Sequence, residues 1–295
     1  MTERQPFAAE SPAALKVCRE VETLRQLLSG PRQTGRIALV PTMGNLHDGH
    51  LSLVREARRL ADTVVVSLFV NPLQFAAGED FESYPRTLES DAQALEKEGA
   101  QLLFAPTVEE MYPAGQSRTR IDVGDIGDML CGAHRAGHFS GMATVVCMLF
   151  NQVRPHVAVF GEKDYQQLQV IRQMVLNLHI PVSVRGVPTV READGLAMSS
   201  RNQYLTPKQR GVAPKLHECL VEAARRVRSG GENFGRIQSD MKTELKAAGF
   251  EPDYFELRAA DLSRPHADTR QLVVLAAAHL GRARLIDNLQ FDSKL

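Results

Sequence analysis

The sequence predicts an α/β fold: a doubly wound parallel sheet over residues 1–190, followed by a smaller α+β unit over residues 191–295. Three observations predict it. Runs of β-branched residues alternate with segments of helical periodicity through the first two-thirds of the chain, with short connections. After Asn202 the alternation gives way to helical stretches and then a run of strands, the mark of an α+β arrangement. The segments richest in Gly, His and amide side chains follow the predicted strands, where open α/β sheets bind ligands.

The elements follow in order. Ser11-Pro12 supplies an N-cap and a first-turn proline, so a helix is expected from there to about Leu28. Arg36–Val40 reads as a buried strand. From Gly49, Leu51, Val54, Ala57 and Ala61 recur at helical spacing. Thr63–Val70 is a continuous β-branched run, as a central parallel strand requires. A polar helix is expected from Thr87 to about Gly99, a short strand over Gln101–Ala105, and a helix over Phe139–Gln152. The strand His156–Phe160, the helix Asp164–Leu178 and the strand Pro181–Val187 complete the series. Beyond the boundary near residues 190–205, Thr206-Pro207 opens a helix to about Gly230, and a second runs from Glu232 to about Gly249. Strands are expected at Asp253–Ala259, Gln271–Ala278 and Ala283–Leu289.

Composition narrows the function. Lys+Arg and Asp+Glu each number 35, and a zero net charge counts against a duplex-DNA binder. No apolar run approaches the ~20 residues that cross a bilayer, and the start has no signal-peptide pattern, so the expected location is cytoplasmic. Cys18, Cys131, Cys147 and Cys219 form no CxxC pair and are expected as buried free thiols. The expected partners are small molecules, not nucleic acid or membrane.

Four segments carry candidate chemistry. Pro41–His50 (PTMGNLHDGH) follows the first long strand. Gly44 and Gly49 permit tight turns, and the next helix points its free N–H groups at the turn, an anion site. His47 and His50 can converge on one phosphate. The alternatives are histidines that merely cap backbone groups, or a zinc site, although the zincin motif needs histidines four apart with Glu between. Phe69–Phe75 (FVNPLQF) places Asn71 and Gln74 among apolar residues, which suits a small polar substrate with an apolar body; the alternative is a simple Asn-Pro turn. Phe160–Gln167 offers Gly161 for close approach, Lys163 as a point charge, Asp164 for hydroxyls or as an N-cap, and Gln167 one turn into the helix; an ordinary capped helix is the alternative. Arg191–Asn202 holds Ser199, Ser200 and Arg201, a donor cluster for a polyphosphate or else a polar linker. Neither GxxxxGK[ST] nor GxGxxG is present, so neither loop holds phosphates here.

His47-Asp48-Gly49-His50 resembles the HxGH signature of class I aminoacyl-tRNA synthetases and related nucleotidyltransferases, and Met198-Ser199-Ser200-Arg201 resembles their KMSKS loop. That loop here lacks both lysines and offers Arg201, so the lysine chemistry of the synthetases does not transfer. With PTMGNLHDGH, FVNPLQF, YPRT, GEKDYQQL and DGLAMSSRN in order, essentially the whole chain resembles the pantoate–β-alanine ligase family, the pantothenate synthetases. The resemblance implies a Rossmann-like N-terminal domain, a smaller C-terminal lid and a homodimer. It implies that ATP, (R)-pantoate and β-alanine give pantothenate, AMP and pyrophosphate with Mg²⁺, through a pantoyl adenylate. It puts Met43, Gly44, Asn45, Leu46, His47, Asp48, Gly49 and His50 around ATP, with His50 as proton donor. Gly161, Glu162, Lys163 and Asp164 would reach ribose and phosphates. Val190 would lie beside adenine, and Met198, Ser199, Ser200 and Arg201 would hold the triphosphate. Gln74 and Gln167 would contact pantoate, β-alanine would use the Gln74 region, and Asn71 would be a pantoate-side amide. The roles of Arg135 and Asp91, and any protein ligands of Mg²⁺, stay open.

A carboxylate titrates near ~4, so pantoate needs no base to attack phosphorus at pH 7. The expected work is alignment and charge stabilisation, with His50, His47 and Lys163 as catalytic residues and Ser199, Ser200 and Arg201 as further donors. A nucleotidyltransferase that leaves AMP on its product would release pyrophosphate but not need β-alanine, whereas a nucleotide-sensing module would bind ATP without releasing pyrophosphate.

Overall fold

A computed structural model describes residues 14–294 except 77, 80, 114, 116–118, 231–232 and 267. Its first layer system is a six-stranded parallel sheet. The strands are β1 (Lys16–Cys18), β2 (Ile37–Thr42), β3 (Thr63–Leu68), β4 (Leu102–Phe104), β5 (Val157–Gly161) and β6 (Ser183–Val187), in the order β1-β4-β3-β2-β5-β6. Ile37, Ala38, Leu39 and Val40 of β2 and Val64, Val65 and Val66 of β3 are fully buried, since both faces of a central parallel strand are covered.

The covering helices are α1 (Val21–Thr34), α2 (Asp48–Leu60), α3 (Leu88–Lys97), α6 (His138–Val153) and α7 (Tyr165–Asn177), with short turns α4 (Val108–Met111) and α5 (Cys131–His134) between. α2 lays Leu53, Val54 and Ala57 on one side of the sheet, while α6 is buried nearly all round on the other. Strand order reverses between β2 and β5. The crevice outside the carboxyl ends of those two strands is the topological switch point, where doubly wound sheets bind ligands. The chain places PTMGNLHDGH after β2 and GEKD at the end of β5, so both motifs meet there.

The second system holds α8 (Pro207–Val212), α9 (Lys215–Ser229), α10 (Phe234–Ala247) and an antiparallel sheet of β7 (Glu251–Ala259), β8 (Gln271–Leu280) and β9 (Ala283–Asp292). β8 is buried on both faces. Leu272, Val274, Ala276 and Ala278 join the core under α9 and α10, whereas Val273, Leu275 and Ala277 join the core of the parallel sheet. The two-residue period of a strand therefore divides one element between two cores.

Two local expectations are corrected. The helix expected from Ser11 to Leu28 begins outside the described residues. Within them, Lys16–Cys18 is an edge strand in register with Leu102–Phe104, and the helix spans Val21–Thr34. Its first free amide, Val21 N–H, is satisfied by Glu110 Oε1 at 2.8 Å, a cap that no neighbouring residue announces. The single helix expected from Thr206 to Gly230 is two, because Pro214 has no N–H to continue the ladder.

Candidate active site

α2 begins with two imidazoles as its cap. His47 Nδ1 accepts the Gly49 amide at 3.2 Å, and His50 Nδ1 accepts the His47 amide at 3.3 Å. The capping alternative is thus met, and it has a chemical consequence. A neutral imidazole whose Nδ1 accepts must carry its proton on Nε2. The two rings stand 4.1 Å apart, centre to centre, and both line a cavity of about 200 Å³. Burial, helped by the charges of His47 and Lys163, pulls the His50 pKa down to about 3; burial and Lys163 lower that of His47. At neutral pH the pair is uncharged, with both Nε2–H groups free of partners among the described residues.

The loop before α2 is shaped by an acid whose role the sequence leaves open. Asp91, buried on α3, accepts Asn45 N–H and Leu46 N–H at 2.9 Å each and the Thr87 hydroxyl at 3.0 Å. Gly44 and Asn45 take left-handed backbone, φ 87° and 52°, to make this turn. This turn divides the expected ATP segment between residues on the cavity and residues behind it. Met43, His47, Gly49 and His50 line the cavity; Gly44, Asn45, Leu46 and Asp48 do not. The Asn45 and Leu46 amides are used by Asp91, and Asp48 pairs outward with Arg55 at 2.9 Å.

Opposite, α6 presents Met142, Val145, Val146 and Leu149, one helical face, as an apolar wall with Phe69 and Phe160. Two amides enter this apolar space, Gln74 and Gln167. Asn71 is not among the lining residues. Its Oδ1 accepts Leu73 N–H at 3.2 Å and the Tyr112 hydroxyl at 2.7 Å, and its Nδ2 donates to Gly141 O and Gln74 Oε1. Asn71 therefore braces Gln74. Gly141 is required by the same contact, since a Cβ there would lie 2.0 Å from Leu73 O. Arg135, the other open role, grips Glu79 through two bonds of 2.6 Å and donates to His138 Nε2 at 2.9 Å. His138 Nδ1 in turn donates to Gln74 O at 2.7 Å. Tyr112, Gly141 and His138 carry no signal in the sequence; each acts through a partner remote in the chain.

The third and fourth segments close the cavity. Gly161, Lys163 and Asp164 line it from the end of β5, and a Cβ on Gly161 would meet nothing within 4 Å. Glu162 is not among the lining residues, and its carboxylate accepts from Gln290 Nε2 at 3.1 Å. Val190, Met198, Ser199, Ser200 and Arg201 complete the rim. Arg191 is withdrawn from it, held by Asp287 through bonds of 2.6 and 2.9 Å. Lys163, Asp164, Gln167, Ser199 and Arg201 also line an adjoining cavity of about 970 Å³ that reaches the antiparallel sheet, so the two spaces are continuous. Cys131 and Cys219 are buried thiols, as is Cys18, while Cys147 is half-buried.

Fold and site together define a Rossmann-like α/β enzyme with an imidazole-capped helix terminus beside a small pocket of amides and apolar side chains. The family model for pantoate-beta-alanine ligase matches residues 16–290, and the chain belongs to that family of ligases. It is 54% identical over 278 residues to the pantothenate synthetase of Pseudomonas entomophila, covering 93% of this chain and 97% of that protein. The pantothenate synthetase of Idiomarina loihiensis is 53% identical over 274 residues, 92% of this chain and 97% of the relative. Among solved structures, pantothenate synthetase from Thermus thermophilus superposes with a TM-score of 0.87 at 47% identity, covering 95% of this chain and all of that one. Pantoate-beta-alanine ligase from Francisella tularensis, complexed with beta-gamma ATP and beta-alanine, gives 0.79 at 32% identity over 94% of this chain and 97% of its own. No helix among the described residues is long and apolar enough to cross a membrane.

Proposed function

We propose that the chain joins (R)-pantoate to β-alanine at the expense of ATP, through a pantoyl adenylate, releasing AMP and pyrophosphate. One observation carries the reading: two neutral imidazoles with Nε2–H free face the same small cavity as Gln74 and Gln167. Neutral donors suit a reaction in which the acid must stay ionised. A nearby imidazolium would hold the carboxylate in its ground state, whereas fixed N–H dipoles stabilise charge as it grows on the α-phosphate. Gln74 and Gln167 hold the hydroxy acid by its polar groups, and the α6 face takes its methyl groups. Lys163, Ser199, Ser200 and Arg201 receive the phosphates, and Gly161 lets the nucleotide approach the backbone. The larger cavity gives β-alanine its path to the acyl carbon. Its amine displaces AMP by forming the amide bond as the acyl–oxygen bond to phosphate breaks.

Mg²⁺ belongs to the same reading. Among the described residues no three His, Cys, Asp or Glu side chains group as a metal cage, and Asp164 is the one carboxylate on the smaller cavity. This donor set fits a hard cation carried mainly on phosphate oxygens, where it would neutralise phosphate charge, with Asp164 as its protein neighbour. A catalytic unit over 1–190 and a covering unit over 191–295, a homodimer and a cytoplasmic location complete the proposal; the dimer is tested by light scattering on the eluted protein.

The decisive experiment incubates the enzyme with ATP, Mg²⁺ and pantoate but no amine. Mass spectrometry should find an enzyme-bound acyl-AMP, with AMP released only when β-alanine is added. An AMP-bearing product released without β-alanine would instead indicate a nucleotidyltransferase.

A further inference from the structure

We propose that Asp287 and Asn288, neighbours on β9, are the positioning element of the adenylation step: each docks one of the two donor segments that flank the cavity. The proposal rests on the function argued above, because it assigns a role in that reaction.

Asn288 is buried, and its Nδ2 donates to Glu162 O and Lys163 O, both at 2.9 Å. A primary amide has two N–H donors, and both are used on this one turn. Asp287 takes Arg191 in a two-bond clasp, while Arg191 Nη1 also donates to Gly195 O at 3.0 Å and Nη2 to Asn288 O at 3.3 Å. Arg191 and Ala197 face each other as an antiparallel bridge, and Met198 N–H donates to Val190 O at 3.0 Å. The clasp therefore fixes the base of the hairpin that delivers Ser199, Ser200 and Arg201. Finally, the Asn288 backbone N–H donates to Asp287 Oδ1 at 2.8 Å, tying the two docks together. The Lys163 turn and the Ser199–Arg201 segment leave the parallel sheet at different points, yet one peptide unit of the C-terminal sheet sets their spacing. The C-terminal sheet thus acts as a rigid back to the phosphate site.

The test is single-turnover pyrophosphate release with ATP, Mg²⁺ and pantoate in Asn288→Ala, Lys163→Ala and the double variant. A misplacement of about 1 Å at a catalytic group costs roughly 10²-fold, so Asn288→Ala should lose about ten- to a hundredfold in rate. The KM for pantoate should change less than the rate, since Gln74 sits on another element and Gln167 lies a turn further along α7. The double variant should be no slower than Lys163→Ala alone, because Asn288 acts through the lysine turn; a general loss of structure would multiply the two defects. Thermal denaturation checks folding, and Asn288→Ser, which retains one donor, should show a smaller loss with the same non-additivity. Wild-type rates in a folded Asn288 variant, or fully multiplicative losses, overturn the proposal. Absence of pantoate-dependent pyrophosphate release in the unaltered enzyme would overturn the function itself instead.

Discussion

His50 Nδ1 accepts the backbone N–H of His47 at 3.3 Å, so the ring that faces the cavity also caps the helix that carries it. Capping and catalysis can be separated by substitution. His50→Ala loses both: helix-cap loss costs about 1 kcal/mol, and loss of one preorganised donor lowers rate by ~10²–10³-fold. His50→Gln keeps the third-position acceptor of a capping box and should keep stability while the adenylation rate still falls. Denaturation midpoints and single-turnover pyrophosphate release check both, and a wild-type rate in His50→Ala would refute the donor role.

The same burial predicts a pH dependence. The unfolded imidazole titrates near ~6.5, whereas folded His50 is pulled down to about 3 and His138, half-buried beside Arg135, to about 4. Between these values the unfolded chain binds more protons. Stability from these groups is therefore complete above about pH 6.5 and is lost as pH falls toward 3. The adenylation rate should show no His50 ionisation limb between about pH 6 and 8. A limb there that vanishes in His50→Gln would contradict the neutral assignment.

Gly161 separates ligand approach from folding. It adopts φ −77° and ψ 137°, open to any residue, and a Cβ meets no neighbour. Gly161→Ala should leave the melting temperature unchanged but weaken ATP about tenfold, the equivalent of ~1.4 kcal/mol. Equal ATP affinity in the variant would remove Gly161 from the nucleotide site.

Gly141 behaves oppositely. A methyl there collides with Leu73 O, so Gly141→Ala must push back the turn that carries Gln74. Overpacking should cost about 1–3 kcal/mol in stability and raise the KM for pantoate more than that for ATP. Equilibrium denaturation with steady-state kinetics measures both.

Arg191→Ala leaves Asp287 buried without its main partner. Burial pushes that carboxyl up, but His217 and Arg191 together hold it below its ordinary value. Removing one member of a buried pair costs about 3–5 kcal/mol, so the variant should unfold at markedly lower denaturant concentration. A shift within ~0.5 kcal/mol would show the pair to be structurally idle.

Much of the fold and site was legible in the sequence because the signals are local. Thr63–Val70 reads as a doubly covered strand, and HDGH after a strand reads as a helix start. Hydrophobic period, glycine placement and the strand-end rule all act within about ten residues, so they survive without coordinates. The chain thereby determined its α/β class, the switch-point crevice and the histidine, lysine and serine donors that face it. Only the tertiary structure decided which polar groups face the cavity and which hold those that do. Asn71 and Gln74 look alike in sequence, yet Tyr112, 41 residues away, claims Asn71 for the scaffold. Asn288 reaches Lys163 across 125 positions, and Asp287 reaches Arg191 across 96. A side chain's hydrogen-bonding capacity is written in its type, but its partner is set by which distant elements packing brings within about 3 Å, and no local pattern encodes that.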